Sequence, residues 1–281
     1  MSDPTAAAVP ARARTIGSVG RIATAPVKAL GLVAHEEVSV SRTGVPGDRR
    51  YVLLDSQLRL ANGKRLGPLV RVIPAVGDDP ETLHLRLPDG TMIGGEVRLG
   101  REIGAVLYGY ERPAREVLGP YAAALGDLAG ERLTVVRMAS ENAGLDRADE
   151  GGAVSIMSSA ALASLAEAAG LGEPVDARRF RMTFTIDDVP PHAEDGWLRR
   201  AVRIGEAVVR PGGNIGRCAV TTQDPDTGIR SLDTLKLIAR GRGHLPSTEP
   251  LPFGVWAEVV VPGRVRVGDP VEPLPDDWTP P

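Results

Sequence analysis

The chain has 281 residues, 33 basic and 36 acidic side chains, a net charge of −3, 42% hydrophobic residues and one cysteine. Such a length buries a sizeable core, a lone cysteine closes no intrachain disulfide, and interspersed charge leaves no polybasic footprint for nucleic acid. No run of about eighteen apolar residues offers a membrane span, and the opening "MSDPTAAAVPARARTIG" has no apolar signal core, so a soluble, cytoplasmic protein is expected.

Glycine (33) and proline (24) make up about a fifth of the chain, against an average of about 12%. Many turns between short elements follow, which points to β structure. Residues 1–15 lack periodicity and read as a disordered leader. Over 16–99, short β-branched segments recur between turn signals: "HEEVSVSR", "RRYVLLDS", "VRVIPAV" and "LHLRLPDG". Leu83, Leu85 and Leu87 alternate with His84 and Arg86, as in a strand with one buried face. "SSAALASLAEAAG" places Leu162, Leu165, Ala166 and Ala169 at helical spacing, with serine to cap its start and Gly170 to end it. "SLDTLKLIAR" (231–240) gives a second, shorter helix. Between and after them "FRMTFTID", "AVRIGEAVVR", "CAVTT" and "VWAEVVVPGRVRVGDPV" read as strands, the last as two strands about a Pro-Gly turn.

Common cofactor signatures are absent. There is no phosphate loop or serine-hydrolase elbow, and "PGGNIG" opens a strand, not the helix a dinucleotide site needs. His35, His84, His192 and His244 lack the spacing of a zinc cage and read as surface or structural residues.

What remains is "GRCAVTTQDPDTG" (216–228), around the single cysteine. A free cysteine is commonly a small buried hydrophobe. Here, though, Arg217 adjoins Cys218 in sequence and would favour thiolate, which is both nucleophile and soft metal ligand. Thr221 and Thr222 bring hydroxyls, Asp224 a carboxylate, and "DPDTG" a turn that would hold a strand end open at a barrel rim.

These residues resemble the cysteine motif of the MOSC family, named for the C-terminal domain of molybdenum cofactor sulfurase. "PFGVWAEVVVPGRVRVGDPV" is similar to that family's closing strands, and "DARRFRMTFTID" and "HAEDGW" resemble its Arg-Phe-Arg and Glu-Asp-x-Trp segments. "APVKALGLVAHEEVSVSRTGVPGDRRYVLLD" resembles the N-terminal β-barrel domain found with MOSC in the amidoxime-reducing group. The resemblance implies a mostly β (α+β) fold: an N-terminal β-barrel domain over 16–115, a MOSC barrel with rim helices over 116–275, and a short tail over 276–281.

It also implies roles. Cys218 would ligate the metal of a molybdenum cofactor (Mo-molybdopterin), while Asp224 is read from its own position as either a proton relay or the structural carboxylate of its Asp-Pro-Asp turn. Lys28, Arg49, Ser158, Arg181, Arg217 and Trp256 would contact the cofactor, with arginine forks suited to a phosphate or pterin edge and Ser158 at a helix start suited to an anion. Glu194, Asp195 and Trp197 are expected to be architectural. The implied activity is molybdenum-dependent reduction of an N-hydroxylated small molecule, independent of pyridoxal phosphate. Electrons would come from a separate ferredoxin, flavodoxin or cytochrome b5-like protein. The alternatives are persulfide sulfur transfer by Cys218 and a non-catalytic cofactor carrier. Three departures bear on pterin and substrate contacts: Met182 and Thr183 stand where the family usually has Pro-Asn, Ala29 where a serine follows the lysine, and "ANGKRLGPLVRV" replaces a Thr-x-Arg run.

Overall fold

The computed structural model describes residues 14–75, 82–141, 145 and 150–280. Most of the expected leader, and Pro281 of the expected tail, lie outside them. The strands are β1 (Gly17–Thr24), β2 (Val33–His35), β3 (Glu37–Val40), β4 (Tyr51–Leu54), β5 (Ile73–Ala75), β6 (Thr82–Arg86), β7 (Met92–Glu96), β8 (Arg98–Leu107), β9 (Tyr110–Leu118) and β10 (Thr134–Met138). They continue with β11 (Val154–Ser158), β12 (Phe184–Asp187), β13 (Val202–Ile204), β14 (Ala207–Gly216), β15 (Pro252–Val261), β16 (Gly263–Arg266) and β17 (Pro270–Pro273). The helices are α1 (Tyr121–Ala129), α2 (Ser159–Ala169) and α3 (Thr234–Arg242).

Seven strands close into a barrel in the order β12-β11-β15-β14-β13-β17-β1, and β1 pairs back onto β12. Closure leaves no sheet edge along that circuit. Only β11 and β12 are parallel, and α2 connects them, as a parallel pair requires. The interior is filled by Ile22, Val154, Ile156, Phe184, Ile186, Val202, Val255 and Val271 among others, all within 3% of complete burial. The mostly β architecture with rim helices is therefore the one observed.

β4, β10, β9 and β8 form a four-stranded sheet, and β5, β6 and β7 a three-stranded one. All four residues of β4 are buried because both faces are covered. Tyr51 and Leu53 point into one apolar cluster, Val52 and Leu54 into another. Leu83 and Leu85 enter the first of these with Tyr121 and Leu125 of α1, as their alternation predicts. Sheet membership crosses position 115/116: β1 is a barrel strand, whereas β10 lies between β4 and β9.

Two local expectations are corrected. β15 and β16 flank Pro262 but do not form a hairpin; β16 pairs with β3, where Val265 faces Val38. "CAVTT" is not a strand: Ala219–Thr222 is a 3-10 turn. The hydroxyls of Thr221 and Thr222 donate back to the carbonyls of Cys218 (3.1 Å) and Ala219 (2.7 Å), and this local bonding competes with a ladder. Helix α2 ends at Gly170 with φ +69°, as expected. α3 begins later than expected, where the Asp233 carboxylate accepts from the Lys236 N–H (3.2 Å).

Candidate functional site at Cys218

Strand β14 ends at Gly216, and two residues later Cys218 precedes the 3-10 turn in an extended conformation. Its thiol is exposed, so it is not a core hydrophobe. Thr221 and Thr222 are buried. Beyond their bonds to the turn, the Thr221 hydroxyl meets that of Thr234 at 2.6 Å, tying the turn to α3.

The loop after the turn is pinned from several sides. Asp224 Oδ1 accepts from the N–H groups of Asp226 and Thr227 (both 3.0 Å) and from the Thr227 hydroxyl (3.1 Å). Burial pushes its pKa up, but these hydrogen bonds and the charge of Arg179 outweigh burial and hold it below the usual carboxylate value. Arg179 donates to the Gln223 carbonyl (2.6 Å) and the Ser231 hydroxyl (2.7 Å), closing both ends of the loop. Arg178 pairs with Asp176 and Asp226. Gln223 reaches the Gly63 carbonyl (2.9 Å). Gly228, at φ +74°, lies so close to Gly67 that a Cβ there would fall 2.0 Å from the Gly67 oxygen. Asp224 is thus a turn anchor. Asp224→Asn, which keeps an acceptor oxygen in place, should change kcat less than about threefold; a loss of about 100-fold or more, of the size general acid–base catalysis supplies, would restore it as a proton relay.

Three of the expected basic residues converge. The Arg49 guanidinium pairs with the buried Asp48 and donates to the Arg181 carbonyl (2.9 Å). Arg181 follows the 3-10 turn Ala177–Phe180 at φ +55°. Asp48 in turn accepts from the Ala25 N–H (2.6 Å), and the Lys28 N–H donates to the Tyr51 carbonyl (2.9 Å), so 25–28 and 49–51 run side by side. At the next position, Ala29 and Val220 both lie within 4 Å of the place a Cβ on Gly63 would occupy. Lys28, Arg49 and Arg181 therefore share a corner with the turn that Cys218 opens.

Arg217 does not present its cation to the thiol. Its guanidinium turns inward, donating to the carbonyls of Phe253 (2.8 Å) and Phe180 (3.1 Å) and to the Met182 sulfur (2.8 Å), with its carbon 5.4 Å from the Phe180 ring centroid. Met182, a departure from the resembled family, thus supplies an acceptor. Ser158 is buried too. Its hydroxyl accepts from the His192 N–H (2.8 Å) and its N–H donates to Glu194 (3.2 Å), which leaves it nothing to offer an external anion. Trp256 pairs with Gly213, and its indole fills the space a Cβ on Gly212 would need. Four residues, 214–217, lie between that pairing and Cys218.

The least legible residues are Glu194 and His192. Glu194 is fully buried and its Oε1 has no hydrogen-bond partner; burial, set partly against the Ser158 hydrogen bonds, raises its pKa to about 7. The Nδ1 of His192 is likewise buried and unpartnered, and desolvation, helped by Arg242, lowers its pKa to about 4. Asp195 accepts from Asn214 (2.9 Å) and pairs with Arg242, and Trp197 packs in the barrel core, so the Glu-Asp-x-Trp segment is architectural. Sequence showed the motif but not the burial.

Among the described residues no cluster of three or more His, Cys, Asp or Glu side chains could hold a metal ion. An exposed soft thiol on a turn whose neighbouring segments carry Lys28, Arg49 and Arg181 is a donor set that fits an anionic organic ligand carrying a thiophilic metal.

The MOSC domain family matches residues 143–272. Mitochondrial amidoxime-reducing component 1 of Homo sapiens is 36% identical over 123 residues, 41% of this chain and 35% of that protein. Mitochondrial amidoxime reducing component 2 of Homo sapiens is 36% identical over 99 residues, 33% of this chain and 29% of that protein. The chain thus spans about a third of the length of these relatives. Among solved structures, the YUAD protein of Bacillus subtilis covers 91% of this chain and 94% of its own at 13% identity and a TM-score of 0.40. YiiM of Geobacillus stearothermophilus covers 44% of this chain and 54% of its own, at 19% identity and a TM-score of 0.32. No helix among the described residues is long and apolar enough to cross a membrane. The cysteine turn and most of the closed barrel fall in the matched segment 143–272, so these residues carry a MOSC domain, a molybdenum-cofactor-binding family.

Proposed function

We propose that this protein holds a molybdenum cofactor at Cys218 and reduces N-hydroxylated compounds (amidoximes, hydroxylamines or N-hydroxy bases) to their N–H products. The observation that carries the reading is the exposure of the sole cysteine, on a pinned turn, in the corner that gathers Lys28, Arg49 and Arg181. The names of the relatives supply the reaction class. When bound, the cofactor supplies a metal that changes oxidation state by two electrons.

The chain's own residues bind and orient. Cys218 offers its sulfur from a backbone fixed by Arg179, Gln223 and the Gly67–Gly228 contact, so ligand geometry is set before binding. Arg49, whose guanidinium is already set by Asp48 and the Arg181 carbonyl, and Arg181 bring positive charge suited to a phosphate or pterin edge, and Lys28 an ammonium. Arg217, Ser158 and Asp224 act by holding the scaffold. Each turnover consumes two electrons and two protons and releases the amine-type product and water. One cysteine cannot hold an iron–sulfur cluster, so electrons reach these 281 residues from another redox centre, such as a ferredoxin, flavodoxin or cytochrome b5-like partner.

The test is metal and released-pterin analysis of protein purified from a host shown to load another molybdoenzyme, followed by turnover of amidoximes with a chemical reductant. About one molybdenum per chain and reductant-dependent loss of the N–O bond are expected. Metal-free protein carrying sulfane sulfur on Cys218 would replace this reading with persulfide transfer. Metal without turnover would make the protein a carrier.

A further inference from the structure

One side chain in the corner is neither a candidate ligand nor part of the Cys218 loop. Asp48 has its side chain only 4% exposed, and a carboxylate at that depth is costly unless it is paired and hydrogen-bonded. It has both kinds of partner. Oδ1 accepts from the Ala25 N–H at 2.6 Å, and Oδ2 pairs with the Arg49 guanidinium. The charge is more than the local backbone needs. Arg49, Tyr51 and Lys28 already donate their N–H groups to the carbonyls of Ala25 (2.9 Å), Pro26 (3.0 Å) and Tyr51 (2.9 Å), so segments 25–28 and 49–51 are joined by main chain alone. A neutral asparagine would offer Ala25 the same acceptor.

What the charge adds is a hold on Arg49. One terminal nitrogen of the guanidinium meets Asp48 and the other donates to the Arg181 carbonyl at 2.9 Å, so a single planar fork is fixed at two points. His35 also feels the Asp48 charge, but burial lowers its pKa against that smaller upward pull. At neutral pH it stays uncharged and leaves the carboxylate to Arg49. Backbone strain gathers at the same place. Among the described residues nine non-glycine positions have positive φ, and Ala29 (+79°), Arg49 (+51°) and Arg181 (+55°) are three of them. Left-handed backbone is uncommon outside glycine and collects at functional sites. Arg49 and Arg181 are also the two residues that the guanidinium–carbonyl bond joins.

We propose that Asp48 is a positioning residue for the anion site: its carboxylate fixes the Arg49 fork against the Arg181 turn, so that the cation is oriented before a phosphate-bearing ligand arrives. The proposal rests on the reading of this corner as the seat of an anionic cofactor. Two effects of the carboxylate oppose each other. Its charge subtracts from the attraction for an anion, whereas its hold removes in advance the freedom that a long side chain loses on binding. Orientation wins. The charge is already matched by Arg49, and salt screens the remainder over about 8 Å, while bidentate recognition of phosphate needs the fork in one plane.

A double-mutant cycle tests this, with calorimetric titration of sodium pyrophosphate into the unloaded full chain, and released pterin measured on protein from a cofactor-competent host. Asp48→Asn keeps an acceptor for Ala25 and removes the charge. It is expected to weaken pyrophosphate binding about tenfold, the lower end of the loss on removing the partner of a ligating side chain, and to reduce the pterin retained. In an Arg49→Gln background the same change should cost less than about twofold, because Asp48 acts through Arg49. Arg49→Lys leaves Asp48 in place and keeps the charge but not the fork, and should bind as weakly as Asp48→Asn. Equal losses from Asp48→Asn with and without Arg49 would make Asp48 merely structural and overturn the proposal. So would unchanged or tighter binding in Asp48→Asn, parent-like binding in Arg49→Lys, or a parent protein that does not bind pyrophosphate. The Arg49→Lys result decides the matter even where Asp48→Asn does not fold. Protein without molybdenum defeats the cofactor reading alone, because the pyrophosphate cycle still decides the role of Asp48.

Discussion

Cys218→Ala is expected to abolish reductase turnover, by about two orders of magnitude or more, while leaving the fold intact. The side chain is exposed and no hydrogen bond of its sulfur holds the turn. The stability cost should stay within the roughly ±0.5 kcal/mol of an ordinary surface substitution. The catalytic cost has a different origin. Residues that merely orient a metal ligand typically cost about 10- to 100-fold when removed, and loss of the ligand itself should exceed that. Lys28, Arg49 and Arg181 remain in Cys218→Ala, so pterin should be partly retained while the molybdenum content falls or its spectrum changes. Separate assays of pterin, metal and activity check this, with thermal unfolding as the control for folding. A variant with a full molybdenum complement, an unchanged spectrum and undiminished turnover would remove Cys218 from the site.

The second large effect concerns pH and lies away from the thiol. The Glu194 pKa rises from 4.5 to about 7 on folding. Its contribution to stability is therefore complete below pH 4.5 and disappears as pH rises through 7. The His192 pKa falls from 6.5 to about 4, so its contribution is complete above pH 6.5 and disappears as pH falls through 4. Between pH 4.5 and 6.5 the two slopes oppose one another. The parent protein should be nearly flat there, then lose stability toward pH 8 by under about 1 kcal/mol, because only about half a unit of the Glu194 shift lies above pH 6.5; the full shift, about 3 kcal/mol, shows only where His192 no longer opposes it. Glu194→Gln should remove the loss above pH 6.5 and uncover a decline below it. His192→Phe, which keeps the edge contact with Phe253, should do the reverse. Facing these two groups are Ser158, Asp195 and Arg242, which none of the variants alters. Urea midpoints at four pH values from 5 to 8 decide the matter: parallel profiles for the parent and Glu194→Gln would show that Glu194 does not titrate as described.

Sequence reading succeeded where information was local. The spacing of Leu162 and Leu165 with Gly170 marked α2, and the alternation of Leu83 and Leu85 marked β6, because each pattern states which face is buried. It failed where partners are distant. Pro262-Gly263 has the look of a hairpin turn, yet β16 pairs with β3, more than 200 residues away in sequence. α1 was not anticipated, because Gly126 within it and Pro120 before it weaken the helical signal. At the site, motif order pointed to Lys28, Arg49, Ser158, Arg181, Arg217, Cys218, Asp224 and Trp256, of which the backbones of Lys28, Arg49 and Arg181 run close to the Cys218 turn. What motif order could not show was the direction of each side chain: Arg217 and Ser158 sit at matching positions but spend their polar groups inward. The neutralised Glu194 was invisible for the same reason, since a charge in the text becomes a buried acid only once β11 and the 193–197 turn close around it.

The way β1 enters the barrel constrains how the chain can fold. Gly17 pairs with Val271 and Ile22 with Phe184, so β1 is made long before β12 and β17, the strands that flank it in the barrel. Until β17 emerges, β1 and β13 lack part of their ladder, and the nascent chain carries an open edge for most of the synthesis of the barrel. Contacts spanning some 250 residues also place the closing step among the slow, high-contact-order events of folding. The β4-β10-β9-β8 sheet, complete by residue 138, can consolidate well before that. The protein is thus built to form its N-terminal core first and the corner around Cys218 last, since Arg181 and the Cys218 turn belong to the part that waits.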